Sequence, residues 1–583
     1  MKSARLRQGA ALLLALGMLA MAAGCGAVQT GGKPEKTEQS QTMQEMMLQV
    51  GWRDDFDDTE IAEDGNWRWV GFGKEAFDAQ VRAVEEDLTL LAEMQAMPLS
   101  EEEQEKCRIL QSYFETEKIL YQNRLCWEPN GRMNGTHTGL PQALERFSVP
   151  NAELAQAKIQ LAQDSGRYLD SVLALQQDKA AAGMLMGTEQ IDEVVAFCRE
   201  FAAKPDEIYL IDSFDKEVDG IEDLSEEQKQ SLKQAYREAV TGVLAPAYLR
   251  LADGLEALKP QCAEGGLSKT EQGKIYYQAL IRSQTGSERT ADEMIAMLDQ
   301  ALTQNDNEWN KLTAKDWRLP DKVEKNKLGT RDPEQIMQAL IADTQADFPP
   351  VDPGTYRITY TNEQVEDNGT AGMYYRAGNE IRLTDADEQD DGELFATLAH
   401  EGFPGHMYQM NYKGEAESQP MYIRVSFEGY TEGWATYAEI YSAKYAQDSG
   451  AKRAMMANLR ASSHLISARI DLGVNHQGWG KNQIKTLLRK YDYATDAKTV
   501  NFYWDQAISD PGISLSYAIG YLEIMELQDY AKAELGEAYT DMEFHRAVLE
   551  AGPSPFWHVR SYVEAYVERT KAEPPQGQAG RAA

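Results

Sequence analysis

Cysteine and histidine are scarce in this chain of 583 residues, which has five of the former and seven of the latter. Four of the cysteines are far apart and irregularly spaced, which excludes the paired C-x-x-C arrangement of a cysteine zinc site; these are Cys107, Cys126, Cys198 and Cys262. We expect buried thiols, with one disulfide as an alternative in an exported protein. Six of the seven histidines lie in the last third of the chain, which indicates that any chemistry is located there.

Positively charged residues are also few relative to negatively charged ones. The chain has 58 Lys and Arg residues against 94 Asp and Glu residues, a formal net charge of -36. Nucleic-acid binding requires a surface rich in Lys and Arg, so we predict no nucleic-acid partner. The acidity is explained by solubility, and attraction of cationic peptides is the weaker alternative.

Long apolar runs are missing after the first 25 residues, so no transmembrane helix is predicted in the rest of the chain. A basic start precedes the apolar run Ala10 to Ala23, and Ala22-Ala23-Gly24-Cys25 follows. This order predicts a lipoprotein signal peptide over 1–25, with Cys25 acylated and anchored to the extracytoplasmic face of the cell membrane. An ordinary signal peptide with an incidental cysteine is the alternative. Residues 26–44 are predicted to be a flexible tether.

Helical periodicity dominates residues 45–345, the predicted N-terminal lobe. Capping-box patterns begin at Ser100, Ser225 and Thr290, each with Glu or Gln three residues later. Prolines interrupt the helices near residue 350, and three β-rich stretches follow at Tyr356–Tyr360, Met373–Tyr375 and Ile381–Leu383.

Helices then return, so residues 346–572 are predicted to form a second lobe and 573–583 a loose tail. The predicted fold is mainly α, with two helical lobes flanking an active-site cleft. A small β-sheet is expected next to the helix that carries His400.

The segment His400-Glu401-Gly402-Phe403-Pro404-Gly405-His406 carries the strongest chemical signal. In the H-E-x-x-H helix, two histidines four residues apart bind zinc and the Glu activates water. Here the histidines are six residues apart, about 120° around a straight helix, which prevents chelation. A break at Pro404 and Gly405 would bring His406 back beside His400. Without such a break the motif is merely structural.

A third ligand is available 26 residues after His406. Glu432 lies in a predicted helix, and two histidines with one Glu would leave an open coordination position, as a catalytic zinc requires. Glu428 and Glu439 are competing carboxylates. Glu439 is expected to be too far along the helix from Glu432 to share the ion. It would instead accept a hydrogen bond from a ligand histidine or make a helix–helix contact.

These motifs resemble the bacterial family known as domain of unknown function 885, which is grouped with the zinc metallopeptidases of the thermolysin-like superfamily. The resemblance covers about 350–570. It is carried by the His400–His406 segment together with Glu432-Gly433-Trp434-Ala435, Asp471-Leu472-Gly473-Val474-Asn475-His476-Gln477-Gly478-Trp479 and Pro511-Gly512 through Tyr517 to Gly520.

The resemblance implies a Zn²⁺ ion held by His400, His406 and Glu432, with Glu401 as base. It also makes His476 and Tyr517 the candidates for polarising the substrate carbonyl and stabilising the oxyanion. Each has an ordinary alternative, because His476 could cap or pack in the core and Tyr517 could simply pack.

The predicted function is therefore a surface-anchored zinc peptidase with a peptide substrate. A zinc hydrolase of a non-peptide amide or cell-wall crosslink is one alternative. A catalytically inactive, metal-dependent peptide-binding lipoprotein is another, although a pure binding protein would not need Glu401.

Overall fold

The protein is described from a computed structural model, which covers residues 59–62, 64–132, 135–262, 264–361, 371–376, 378–384, 389–412, 425 and 427–572. The predicted signal peptide, tether and tail lie outside these residues. Helices make up most of the described chain, which confirms the mainly α prediction. The first eleven are α1 Lys74–Gln95, α2 Glu101–Gln122, α3 Thr136–Arg146, α4 Ala152–Ala181, α5 Thr188–Phe201, α6 Tyr209–Asp219, α7 Glu226–Ala239, α8 Ala245–Leu258, α9 Glu271–Thr285, α10 Ala291–Lys315 and α11 Pro333–Thr344.

The remaining helices contain the residues proposed for the site, except His476, which caps the end of one of them. They are α12 Asp391–Glu401, α13 His406–Tyr412, α14 Glu428–Tyr441, α15 Ala443–Ala446, α16 Gly450–Asn475, α17 Lys481–Lys490, α18 Ala497–Ser509, α19 Ile513–Leu535, α20 Asp541–Ala551 and α21 Phe556–Ala572. None of the described helices is both long enough and apolar enough to span a membrane.

Capping explains where several helices begin. Ser100, Ser225 and Thr290 each accept a hydrogen bond from the backbone N–H three residues later, and the side chain at that position bonds back. The same box starts α12, with Asp390 and Glu393 as partners. These reciprocal bonds satisfy N–H groups that a helix leaves unpaired in its first turn.

A three-stranded sheet precedes α12, as predicted. Strand β5 (Glu380–Leu383) is central, with β3 (Arg357–Tyr360) parallel on one side and β4 (Gly372–Tyr375) antiparallel on the other. The sequence did not predict a second sheet, the short antiparallel pair β1 (Thr59–Ile61) and β2 (Trp67–Trp69). Strands of three residues leave too little alternation to recognise.

Three clusters of buried apolar side chains form the core of the described chain. One is built wholly from residues 69–258. The cluster around Trp434 also takes Met94, Phe114 and Trp309 from the first 345 residues. The helices that surround the candidate site are therefore packed against early as well as late parts of the chain.

All four cysteines of the described chain are free thiols, and three of them are buried: Cys107, Cys126 and Cys198. The expectation of buried thiols is met at these three. Cys262 is partly exposed.

Candidate metal centre

The helix of His400 breaks just after the motif's glutamate. Helix α12 ends at Glu401, Gly402 leaves helical geometry with φ -106° and ψ -107°, and the Phe403–Pro404 peptide bond is cis. A Cβ atom at position 405 would lie 1.8 Å from the carbonyl oxygen of His400, so only glycine fits there. Helix α13 then begins at His406, and the two imidazole rings are 4.9 Å apart. The break lies where Pro404 and Gly405 predicted it.

Helix α14 brings Glu432 to this pair because it packs backbone to backbone against α19. A Cβ atom at Gly433 would lie 2.5 Å from the Cα of Gly520, and one at Gly520 would lie 2.0 Å from the carbonyl oxygen of Gly429. Glycine lowers helix propensity, but here its missing side chain permits the close approach. This contact fixes the distance between Glu432 and the residues of α19.

Three possible ligand atoms converge. Oε2 of Glu432 lies 3.3 Å from Nε2 of His406 and 3.5 Å from Nε2 of His400. Two zinc bonds of about 2.0–2.1 Å at a tetrahedral angle place their ligand atoms roughly 3.3 Å apart. All three side chains are buried, and the three ligand atoms lie within 4.8 Å of one another. The spacing fits one tetrahedral cation with a position left open.

A polar atom without a hydrogen bond supports this fit. Among the described residues, Oε2 of Glu432 has no hydrogen-bond partner. Burial would raise the pKa of Glu432, but the neighbouring imidazoles of His406 and His400 hold it at about 2. An ionised, buried carboxylate with an unsatisfied oxygen is a suitable ligand for a divalent cation.

Glu439 lies behind His400. Its Oε2 is 3.0 Å from Nδ1 of His400, and Oε1 accepts a hydrogen bond from Nε of Arg460. Burial would lower the pKa of His400, but the carboxylates of Glu432 and Glu439 outweigh it and raise that pKa to about 10. Glu439 therefore has the geometry of the carboxylate that orients a ligand histidine and fixes its tautomer.

Glu401 faces the sheet. Its Oε2 accepts a hydrogen bond of 2.8 Å from the backbone N–H of Tyr374 on β4. Because this N–H is directed to Glu401, the edge of β4 that does not pair with β5 faces the predicted base. Burial raises the pKa of Glu401, and the two imidazoles only partly oppose that effect.

Tyr517 lies beside the cluster. Its ring packs between His400, with centroids 5.9 Å apart, and His464, with centroids 5.7 Å apart. Burial and then the carboxylates of Glu432 and Glu401 raise the pKa of its hydroxyl well above the usual range. The phenol therefore keeps its proton at neutral pH and can donate a hydrogen bond.

His476 is placed elsewhere. It caps the C-terminal end of α16, its side chain is 31% exposed, and its Nε2 lies 3.2 Å from Asp292. Twelve residues, or about 18 Å of helix, separate it from His464. The imidazoles next to Tyr517 are thus those of His400 and His464, while the role of His476 stays a prediction.

Glu428 is the first residue of α14 and is not part of the three-residue group. The sequence reasoning missed Arg460 and His464, although both contact Glu439. Their spacing of four residues on a predicted helix was the available signal, but it is common on helices that bind nothing.

Comparison with known proteins places the chain among bacterial sequences. The model of the family described as "Bacterial protein of unknown function (DUF885)" matches residues 57–563. No curated protein sequence matches.

Two solved structures have a similar fold. The crystal structure of "the putative lipoprotein from Colwellia psychrerythraea" matches with a TM-score of 0.74 at 18% identity, covering 86% of this chain and 92% of that one. "A putative lipoprotein of unknown function from Shewanella oneidensis" matches with a TM-score of 0.59 at 15% identity, covering 89% and 96%. The family match spans most of the sequence, so this chain belongs to the bacterial family DUF885.

Proposed function

We propose that this protein is a zinc-dependent peptidase, exported and held at the cell membrane by a lipid. The observation that supports the proposal best is the convergence of His400, His406 and Glu432 at zinc-ligand spacing, with Glu401 buried at the same point. Three protein ligands leave one coordination position open, which distinguishes a catalytic zinc site from a structural one.

Each residue of the cluster has a proposed role. His400, His406 and Glu432 would hold the cation, and Glu439 would orient His400 through Nδ1. A bound zinc ion polarises a carbonyl group and lowers the pKa of water toward about 7.

Glu401 would accept the proton of the attacking water and pass it to the leaving amine. Its raised pKa suits this exchange, because a base works best with a pKa near the working pH. The neutral hydroxyl of Tyr517 would donate a hydrogen bond to the oxyanion.

The edge of β4 that pairs with no strand of the described chain supports a peptide as the substrate. An extended chain can add to an exposed strand edge through main-chain hydrogen bonds. Tyr374 on β4 already reaches Glu401 by its N–H, so a peptide laid along this edge would pass the base and the three ligands. The spacing of the ligand atoms does not itself select peptides over other amides.

A first experiment tests the metal and the reaction together. The purified mature protein should contain about one zinc per chain, the usual stoichiometry of a three-ligand site. Incubation of the zinc-loaded protein with a peptide library, read by mass spectrometry, should yield cleaved products. No zinc after attempted reconstitution would refute the enzyme proposal, whereas hydrolysis confined to non-peptide amides or cell-wall crosslinks would replace the substrate.

Membrane anchoring rests on Ala22-Ala23-Gly24-Cys25 and has its own test. The two solved structures of similar fold are each described as a "putative lipoprotein". Wild-type protein should partition with membranes and carry lipid, while Cys25→Ser should not be acylated. A wholly soluble, unacylated wild type would refute the anchor.

A further inference from the structure

A cavity opens beside the metal cluster. It extends from His400 and Glu401 along α12 to Glu393, and α16 contributes Arg460 and His464 to its wall. Ligand pockets commonly combine apolar walls with a few converging polar groups. The proposed reaction uses the end of the cavity at His400 and Glu401. The residues that α16 contributes have no role in that reaction.

Arg460 and His464 reach the cavity from the same face of α16, one helical turn apart. Nε of Arg460 donates to Glu439, and this is the one hydrogen bond that the guanidinium makes within the described chain. Its two terminal nitrogens therefore keep their donor capacity. Their planar arrangement matches the two oxygens of a carboxylate.

His464 is an unpartnered buried group. Its residue is 2% exposed, and in the described part of the chain neither ring nitrogen has a hydrogen-bond partner. The nearest carboxylate oxygen, Oε2 of Glu439, is 3.7 Å from its Nε2. Buried polar groups are normally satisfied by protein, water or ligand, so an imidazole lining a cavity in this state points to a bound group.

The remaining hydrogen-bond donors of the wall indicate what that group is. Glu439 faces His400, Arg460 and His464. His400 also faces Glu432, and Arg460 also interacts with the charges of Asp390 and Glu393. A second carboxylate in the cavity would meet the remaining donors of Arg460 and His464. Glu393 lines the same cavity and would instead favour an amine. The C-terminal carboxylate and the N-terminal amine of a peptide are therefore two candidates that a binding experiment can distinguish.

We propose that this cavity binds the C-terminal carboxylate of the substrate through Arg460 and His464, so that the protein cleaves at the carboxyl end of short peptides. The inference rests on the proposed peptidase function for its reaction. The carboxylate-binding cavity can nevertheless be tested without turnover.

Binding is measured by calorimetry on zinc-loaded Glu401→Gln protein, which should hold zinc but not cleave. The probes are tetra-alanine as the free acid, as the C-terminal amide and as the N-acetylated acid. The acid should bind about 10- to 100-fold more tightly than the amide, the range for hydrogen bonds to a charged group, and N-acetylation should change little. Equal binding of acid and amide, no binding of either, or loss of binding on N-acetylation would each overturn the proposal.

Variants then identify the residues that cause the preference for the free acid over the amide. In the same background, Arg460→Gln and His464→Asn should each reduce the acid-to-amide ratio at least several-fold. The matched control is Arg469→Gln, which removes a buried arginine of α16 that pairs with Asp299 and should leave the ratio unchanged. Damage to the zinc site would weaken acid and amide alike, so the ratio separates recognition from positioning through Glu439.

Failure of the two proposals is distinguishable. If the wild type cleaves no peptide but Glu401→Gln still prefers the acid, the carboxylate site stands and the peptidase proposal falls. If the wild type cleaves acid and amide peptides equally well, the peptidase stands and the carboxylate site falls.

Discussion

Glu439 Oε2 lies 3.0 Å from His400 Nδ1, while Glu432 Oε2 lies 3.5 Å from the other nitrogen of the same ring. One imidazole is thus held between two carboxylates that are seven residues apart on α14. Glu432 faces the candidate metal position, whereas Glu439 contacts the opposite nitrogen of the ring.

This arrangement ranks the carboxylates of α14 by their effect on zinc affinity. Glu432→Ala removes a ligand and should lower zinc affinity most steeply. Glu439→Ala should lower it about 10- to 100-fold, as for other carboxylates behind a ligand histidine. Glu428→Ala should have the smallest effect and serves as the control. Competitive zinc titration measures all three, and a larger loss from Glu428→Ala or Glu439→Ala would move the third ligand elsewhere.

Glu401 should be needed for turnover but not for metal. In Glu401→Gln the side chain keeps its size and cannot take a proton, so hydrolysis should fall by about 10²-fold or more while one zinc per chain remains. Zinc content and initial rates are measured on the same preparation. Wild-type rates in a zinc-replete variant would show that another group is the base.

The contact between α14 and α19 predicts that Gly520 tolerates no side chain. In Gly520→Ala the methyl group would lie 2.0 Å from the carbonyl oxygen of Gly429, so the helices must separate. Overpacking of this kind costs about 1–3 kcal/mol of unfolding free energy, sometimes more.

Gly139→Ala is the matched control, because a Cβ there meets nothing within 4 Å inside α3. It should be neutral or stabilising by about 0.5–1 kcal/mol. Denaturant unfolding compares the two, and equal stabilities of the alanine variants would contradict the close approach.

His137 should make stability depend on pH. Burial lowers its pKa to about 4, against 6.5 in the unfolded chain. Between these values the unfolded state binds more protons, so stability is complete above pH 6.5 and declines as the pH falls toward 4. From pH 7.5 to 5.0 the loss should be roughly 2 kcal/mol.

His137→Phe should remove this component of the pH dependence. Phe197 contacts the imidazole edge to face, with centroids 5.3 Å apart, so Phe197→Leu disturbs the same packing without removing the titrating group. That control should be less stable at both pH values and keep the wild-type slope. An unchanged slope in His137→Phe would mean that other groups cause it.

The sequence predicted much of this arrangement because the relevant signals are local. Pro404 and Gly405 act on backbone dihedrals within a few residues, and the capping box at Ser100 involves four consecutive positions. Each effect can therefore be recognised without knowing what packs nearby. The positions of β3, β4 and β5 were predicted for the same reason.

Contacts made across the fold could not be read in this way. Considered locally, Gly433 only lowers helix propensity, because its packing partner, Gly520, lies 87 residues later in the chain. His464 carries no motif, and its neighbours Glu439 and Tyr517 are brought together only by the packing of α14, α16 and α19. The location of His476 beside Asp292 likewise depends on where the end of α16 meets the start of α10.

Glu432 and Tyr517 lie on helices whose backbones touch, and the helices that carry His400 and His406 are joined by four residues. None of these side chains can move far without unfolding its surroundings. The entropy cost of ordering them is therefore met during folding and not when the metal binds. Cation binding should then resemble insertion into a preorganised site, unlike a zinc finger, in which the metal drives folding. The apo protein should keep its global architecture.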